Sequence, residues 1–264
     1  MKLRVTFPLQ QLLFGCGCAL LLGLEAIAQA PAVANATFKV KGGTTGVQQG
    51  TVLGASAAGV KIQIGAQTLT LPPAMFESFQ MAPPPEYALG YQAFTARDFS
   101  KALGLMKSVT DKYKGLPTEW AQYATGMLGD IYVETGDFTA AEAAYNEFKR
   151  LYQAPGTTSA TSEVGLARIA VAKKDLSGAK ARLDPITAEA LKEKSPPATK
   201  ALAYSKAFLV SGQIKEAEGN LPGALEDYLR TVTLFYHDRA AVAVAQEKAD
   251  ALRSRDKDHP VTVP

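Results

Sequence analysis

The chain has 264 residues, of which 47% are hydrophobic and 20% charged, enough for one large or two small folded domains. Its net charge of +3 is close to balance and argues against a nucleic-acid-binding protein, which presents a clustered basic face. Two cysteines and two histidines leave little material for disulfide, thiolate or imidazole chemistry.

The first 28 residues read as a signal peptide. Lys2 and Arg4 precede an apolar run from Leu12 to Leu24, and Ala26-Ile27-Ala28 supplies a small-x-small cleavage site. The run is short for a membrane span, which takes ~20 residues. An uncleaved anchor is the alternative. Both cysteines, Cys16 and Cys18, fall inside this segment, so a mature chain would lack them. Leu13-Phe14-Gly15-Cys16 faintly resembles a lipobox, but Phe14 is too bulky for that motif, and lipid anchoring at Cys16 is not expected. Cleavage removes two of the 28 basic and one of the 25 acidic residues, leaving a net charge of +2. The expected location is periplasmic or secreted, with no integral span after cleavage.

Residues 29–35 read as a linker, and 36–81 as a small β-rich domain. Val60, Ile62 and Ile64 alternate with Lys61 and Gln63, and Leu69 and Leu71 with Thr68 and Thr70. That period of two turns one face inward. Gly65-Ala66 predicts a tight hairpin turn between the runs. Phe38–Val40 and Val52 mark earlier strands, and Phe38, Phe76 and Phe79 are candidate core. Four or five short strands suit an SH3-like or Sm-like barrel. The segment either caps the helices that follow or binds a ligand. Gly42-Gly43-Thr44-Thr45-Gly46 lacks a phosphate-loop lysine and reads as a β-turn.

Residues 82–85 are a proline linker, and 86–254 carry helical periodicity. Pairs are expected at 86–96 with 99–113, 118–135 with 138–152, 161–173 with 176–191, and 198–218 with 221–236. A last helix spans 239–254 with Asp238 as its N-cap, and 255–264 is a disordered tail. Internal self-similarity underlies this division. Asp98, Asp137 and Asp175 recur at intervals of 39 and 38, and Asn220 follows after 45. Ala102, Ala141, Ala179 and Ala224 each follow four residues later. Gly90, Gly129, Ala167 and Gly212 each precede the turn by eight. Such a period is the mark of a helical repeat array.

The second copy resembles the tetratricopeptide repeat family residue by residue, through Leu128, Gly129, Tyr132, Gly136, Asp137, Phe138, Ala141 and Tyr145. Copies one and three depart from the motif, with Ala93 and Ala170 in place of its first aromatic and Arg97 and Lys174 in place of the turn glycine. In the fourth, Lys215 occupies the aromatic slot. Small residues are expected where paired helices cross closely, with Tyr132 and Tyr145 filling the gaps. The layout of an export signal followed by a few repeats is similar to that of bacterial periplasmic repeat proteins of the outer-membrane assembly and Tol–Pal systems.

The resemblance implies a mainly α fold, an α-solenoid of about four helix pairs. It also implies a concave face lined by the first helix of each pair. On this register that face comprises Tyr87, Tyr91 and Phe94, then Tyr123, Asp130, Val133 and Glu134. Val164, Arg168 and Val171 follow from the third copy, and Leu209, Gln213 and Glu216 from the fourth. Aromatic and Arg residues are typical of binding surfaces. The first three could instead pack on the β segment, and Trp120 is expected to pack on Leu116 or the preceding pair.

Catalytic, cofactor and metal motifs are lacking: there is no HExxH, CxxC, Gly-Lys-Ser loop or Gly-x-Ser-x-Gly elbow. Asp130, Glu134 and Asp137 read as a solvated face, and Asp227 with Arg230 as surface charges. The expectation is a non-catalytic scaffold without cofactor that binds a protein or peptide partner in the cell envelope. The alternatives are a glycan- or cell-wall-binding protein using the β domain, or a carboxylate-dependent hydrolase.

Overall fold

The structure, a computed structural model, describes residues 34–43, 46–153 and 159–255. The signal segment, its cysteines and nearly all of the tail therefore lie outside the described residues, as do Thr44 and Thr45. The described chain is mainly helical, with a small antiparallel sheet at its N-terminal side.

The sheet contains β1 (Asn35–Val40), β2 (Gln48–Ser56), β3 (Gly59–Ile64), β4 (Gln67–Leu71) and, after a 3₁₀ turn at Pro73–Met75, β5 (Phe76–Met81). Its order is β4-β3-β2-β1-β5, every pairing antiparallel. The expected alternation holds in β3, where Val60 and Ile62 are buried and Lys61 and Gln63 are exposed. Gly65, at φ +57°, makes the β3–β4 hairpin turn in the left-handed region. The period of two breaks in β5 between Phe76 and Phe79, which are three residues apart and both face the core. A register shift opposite Lys39 and Val40 lets both rings turn inward, where Phe76 meets Phe38 edge-on at 5.7 Å and Phe79 at 5.0 Å. The sheet is open, with β4 and β5 as its two edges, so the expected barrel is not closed.

Nine helices follow among the described residues. They are α1 (Pro85–Thr95), α2 (Phe99–Tyr113), α3 (Glu119–Glu134), α4 (Phe138–Tyr152), α5 (Ala160–Ala172), α6 (Leu176–Ala190), α7 (Ala198–Ala217), α8 (Leu221–Thr233) and α9 (Arg239–Ser254). Their limits fall within one residue of those expected, except that α8 stops earlier. Phe235 leaves the helix to stack on Phe208 of α7 at 4.7 Å, and its carbonyl accepts from Ser205 Oγ.

Four turns share one geometry. Arg97, Gly136, Lys174 and Gly219 adopt positive φ between 61° and 81°. The next residue donates its N–H to the carbonyl five back, as in Asp98 to Ala93, Asp137 to Tyr132, Asp175 to Ala170 and Asn220 to Lys215. This is a Schellman closure. The same Asp or Asn then caps the next helix, its side chain accepting from the N–H three residues on. One residue thus ends one helix and starts another, which explains the strict recurrence of Asp98, Asp137, Asp175 and Asn220.

The small residue eight before each turn meets a larger side chain eight after it. Gly90 faces Met106, Gly129 faces Tyr145 and Gly212 faces Tyr228. Ala167 and Leu183 occupy the same slots and are both buried. A Cβ on Gly129 would stand 2.7 Å from the Tyr145 ring, and one on Gly165 of α5 would stand 2.2 Å from it. Tyr145 therefore lies in a slot between two glycines from two successive pairs. Tyr132 packs beside it.

The sheet packs on the first helices through a single core that joins Phe38, Val60 and Ile62 to Met106, Leu116 and Trp120. Trp120 is buried, its ring edge-on to Tyr113 at 5.6 Å, and its Nε1 donates to the carbonyl of Met81 at 2.8 Å. Further along, each helix packs on its neighbours, with additional contacts of α3 on α5, α5 on α7 and α7 on α9. These contacts between first helices create a shared face.

Candidate functional site

Helices α1, α3, α5 and α7, with the turn into α9, enclose a cavity of about 340 Å³. One part is aromatic, with Tyr87, Tyr91 and Phe94 from α1, Tyr123 from α3 and Phe148 from α4. Met127, Val164, Gly165 and Ala203 continue the apolar lining. Asp130, Lys206, His237 and Asp238 make it polar elsewhere.

The aromatic residues reach the cavity by different routes. Tyr87 is half-buried and also touches Trp120, with ring centres 6.1 Å apart, so it joins the sheet-side core. Phe94 packs on Phe99 at 5.9 Å. Tyr91 is the open member, 46% exposed. Burial, then the nearby charges of Glu119 and Asp238 and the phenols of Tyr87 and Tyr91, push the Tyr123 hydroxyl up to about 12.

Asp130 is the centre of the polar part. It is buried rather than solvated, which corrects the sequence reading. Its Oδ1 accepts from Tyr145 Oη at 2.7 Å and from Arg168 Nη1 at 2.6 Å, and its Oδ2 accepts from Lys206 Nζ. Burial alone would raise its pKa. The charges of Lys206 and Arg168, with hydrogen bonds from Lys206 and Tyr145, outweigh burial and hold the carboxyl below the usual range. Arg168 also reaches Glu134 at 2.6 Å, and Lys206 reaches Asp238 Oδ2 at 3.6 Å. Asp238 caps α9 as expected, accepting from the N–H groups of Ala240 and Ala241. The network thus ties α3, α4, α5 and α7 to the start of α9. Asp130 and Arg168 are bound into helix–helix contacts and are not free surface positions.

The candidate residues divide accordingly. Tyr87, Tyr91, Phe94, Tyr123, Asp130 and Val164 line the cavity, and Arg168 and Glu134 adjoin it through their ion pairs. Val164 is almost wholly buried in the α5–α7 core. The rest lie elsewhere. Val133 packs by Tyr145 and Ile169, Val171 against the α5–α7 core, and Leu209 against α8 and α9. Glu216 accepts from Tyr228 Oη at 2.7 Å and pairs with Lys248, while Gln213 is half-buried outside the cavity. Another correction concerns Asp227, which is buried and bound by Ser211, Lys215 and Arg230.

Sequence reasoning missed Lys206, Asp238 as a cavity residue, and Gly165. Lys206 had a readable signal, since it precedes Gln213 by seven residues and shares its helical face. Gly165 had none, because its need to be small arises from Tyr145 twenty residues away.

Among the described residues, no three His, Cys, Asp or Glu side chains gather as a metal site would require. None of the described helices is long and apolar enough to cross a membrane. No protein-family model matches the sequence, and a search of curated proteins gives no match.

Proposed function

We propose that the chain is an exported, non-catalytic scaffold or adaptor. On this reading its helix pairs form a tetratricopeptide-like α-solenoid, and the face of the first helices holds a protein or peptide partner in the cell envelope. The observation that carries the reading is the cavity itself, framed by the first helices of four successive pairs and rich in tyrosine and phenylalanine. The engagement of Asp130 supports a binding role over acid–base chemistry, because its charge is consumed by Arg168, Lys206 and Tyr145. The four matched turns and the small-against-large pairs support the repeat reading.

One observation favours a second reading, a glycan ligand on the sheet. A broad concavity of about 1040 Å³ between the sheet and the start of α3 carries Asn35, Thr37, Gln49, Thr51, Gln63 and Gln80, all uncharged hydrogen-bonding side chains. Its two aromatic lining residues weigh against it, since Trp120 is buried and donates to the Met81 carbonyl, and Phe79 packs on Phe38 and Phe76. Crosslinking in the native envelope followed by purification separates the two readings. Crosslinks from Tyr91 or Tyr123 positions to a protein support the groove. Recovery of polysaccharide alone, with no protein crosslinked to those positions, would refute it.

A further inference from the structure

Three phenols, Tyr87, Tyr91 and Tyr123, share the cavity with Asp130 and Asp238, and the only cation among its lining residues is Lys206. Lys206 is already engaged by both carboxylates. Arg168 behind it is engaged by Asp130 and Glu134. The network of Asp130, Glu134 and Asp238 with Arg168 and Lys206 therefore sets three carboxylates against two cations. The surplus negative charge falls on Asp238, whose ion pair is the longest of the set at 3.6 Å. Glu119, one turn before Tyr123, adds a further negative charge that acts on the Tyr123 hydroxyl. The depressed acidity of the Tyr123 hydroxyl fits this field, burial being its larger cause and the charges of Glu119 and Asp238 adding to it.

The aromatic rings, the phenol oxygens and Asp238 of this lining select the same chemistry. Aromatic faces attract cations, most strongly where water is displaced. Phenol oxygens and Asp238 are acceptors for N–H donors. An anion would have to displace Asp130 or Asp238 from Lys206. A fully apolar group would cover Asp238, held by the α9 amides and by Lys206, without adding a counter-charge to the network. The volume of about 340 Å³ lies at the small end of ligand cavities, which run from ~300 to 1,000 Å³.

We infer that this cavity is a receptor for an organic cation, and that the partner enters it with a lysine or arginine side chain. The peptide half of this assignment rests on the groove being the partner-binding face; the cation half does not.

The test uses the ¹⁵N-labelled chain at pH 7.5 and reads the amide signals of Gly126 and Gly165, two cavity-lining residues. The probes are the capped pentapeptide Ala-Ala-Lys-Ala-Ala, its norleucine and glutamate counterparts, and tetramethylammonium. The lysine peptide is expected to shift both signals saturably and to bind at least about tenfold more tightly than the norleucine peptide. Asp238→Asn keeps the α9 cap, because Asn caps as well as Asp, and is expected to weaken the lysine peptide about tenfold while leaving the norleucine peptide unchanged. Equal or tighter binding of the norleucine or glutamate peptide would overturn the cation assignment and leave the groove reading standing. Saturable shifts from tetramethylammonium but not from the lysine peptide would keep the cation site and remove the peptide partner. No saturable shift from either cation overturns the proposal.

Discussion

Asp130 and Lys206 stand 76 residues apart in the chain and form an ion pair at the floor of the cavity. The pair joins the second helix pair to the fourth, while Arg168 from the third binds the same carboxylate. Removing one partner of a buried ion pair leaves the others desolvated and unmatched. Asp130→Asn is expected to cost about 3–5 kcal/mol, measured by urea unfolding.

The same carboxyl sets a pH dependence. Its folded pKa is lowered, so its stabilisation is present above the unfolded value of about 3.9 and is lost as pH falls from there towards the folded one. The stability gap between the parent and Asp130→Asn should be constant from pH 5 to 7 and narrow below about pH 4. A gap that widens on acidification would contradict the lowered pKa.

Gly165→Ala is expected to destabilise the chain by about 1–3 kcal/mol or more, because the new methyl collides with Tyr145, which is itself fixed by Gly129 and Asp130. Gly104→Ala provides the contrast. It lies within α2 with nothing within 4 Å of its added Cβ, and should stabilise by up to about 1 kcal/mol. Thermal melts of the two variants should move in opposite directions.

Arg97 and Lys174 hold a conformation that the equivalent Gly136 and Gly219 adopt without strain. Arg97→Gly and Lys174→Gly should each raise stability by up to about 1 kcal/mol, whereas Gly136→Ala should lower it by a similar amount. Calorimetry on the three variants checks the shared turn geometry.

In the cavity, Tyr91→Ala and Tyr123→Ala should weaken a captured partner by about 2 kcal/mol or more while leaving the circular dichroism spectrum unchanged. Lys180→Ala, which removes an exposed ion pair with Glu218 on the second-helix side, should change affinity by less than about 0.5 kcal/mol.

The helix limits were legible because their signals are local. A Gly, or in two copies an Arg or Lys, followed by Asp or Asn both stops and starts a helix within a few residues. Strand β5 was not legible, because a register shift in its pairing with β1 erased the alternation that marks a strand. In the candidate site, the aromatic residues of α1 and Tyr123 are reached through the register that the resemblance to the tetratricopeptide repeat implies. The burial of Asp130 could not be read, since its partners come from three other helices and nothing in its local sequence announces them.

Trp120 is the only tryptophan in the chain, and its indole is buried where Met81 ends the sheet and Tyr113 ends α2. Its emission is therefore a built-in probe of one junction, whereas far-ultraviolet ellipticity sums over every helix. Unfolding followed by both signals tells whether the distant helices release together with that junction. Superimposed transitions mean that the chain unfolds as one cooperative unit, and an ellipticity loss preceding the indole's red shift means that helices away from that junction unfold first.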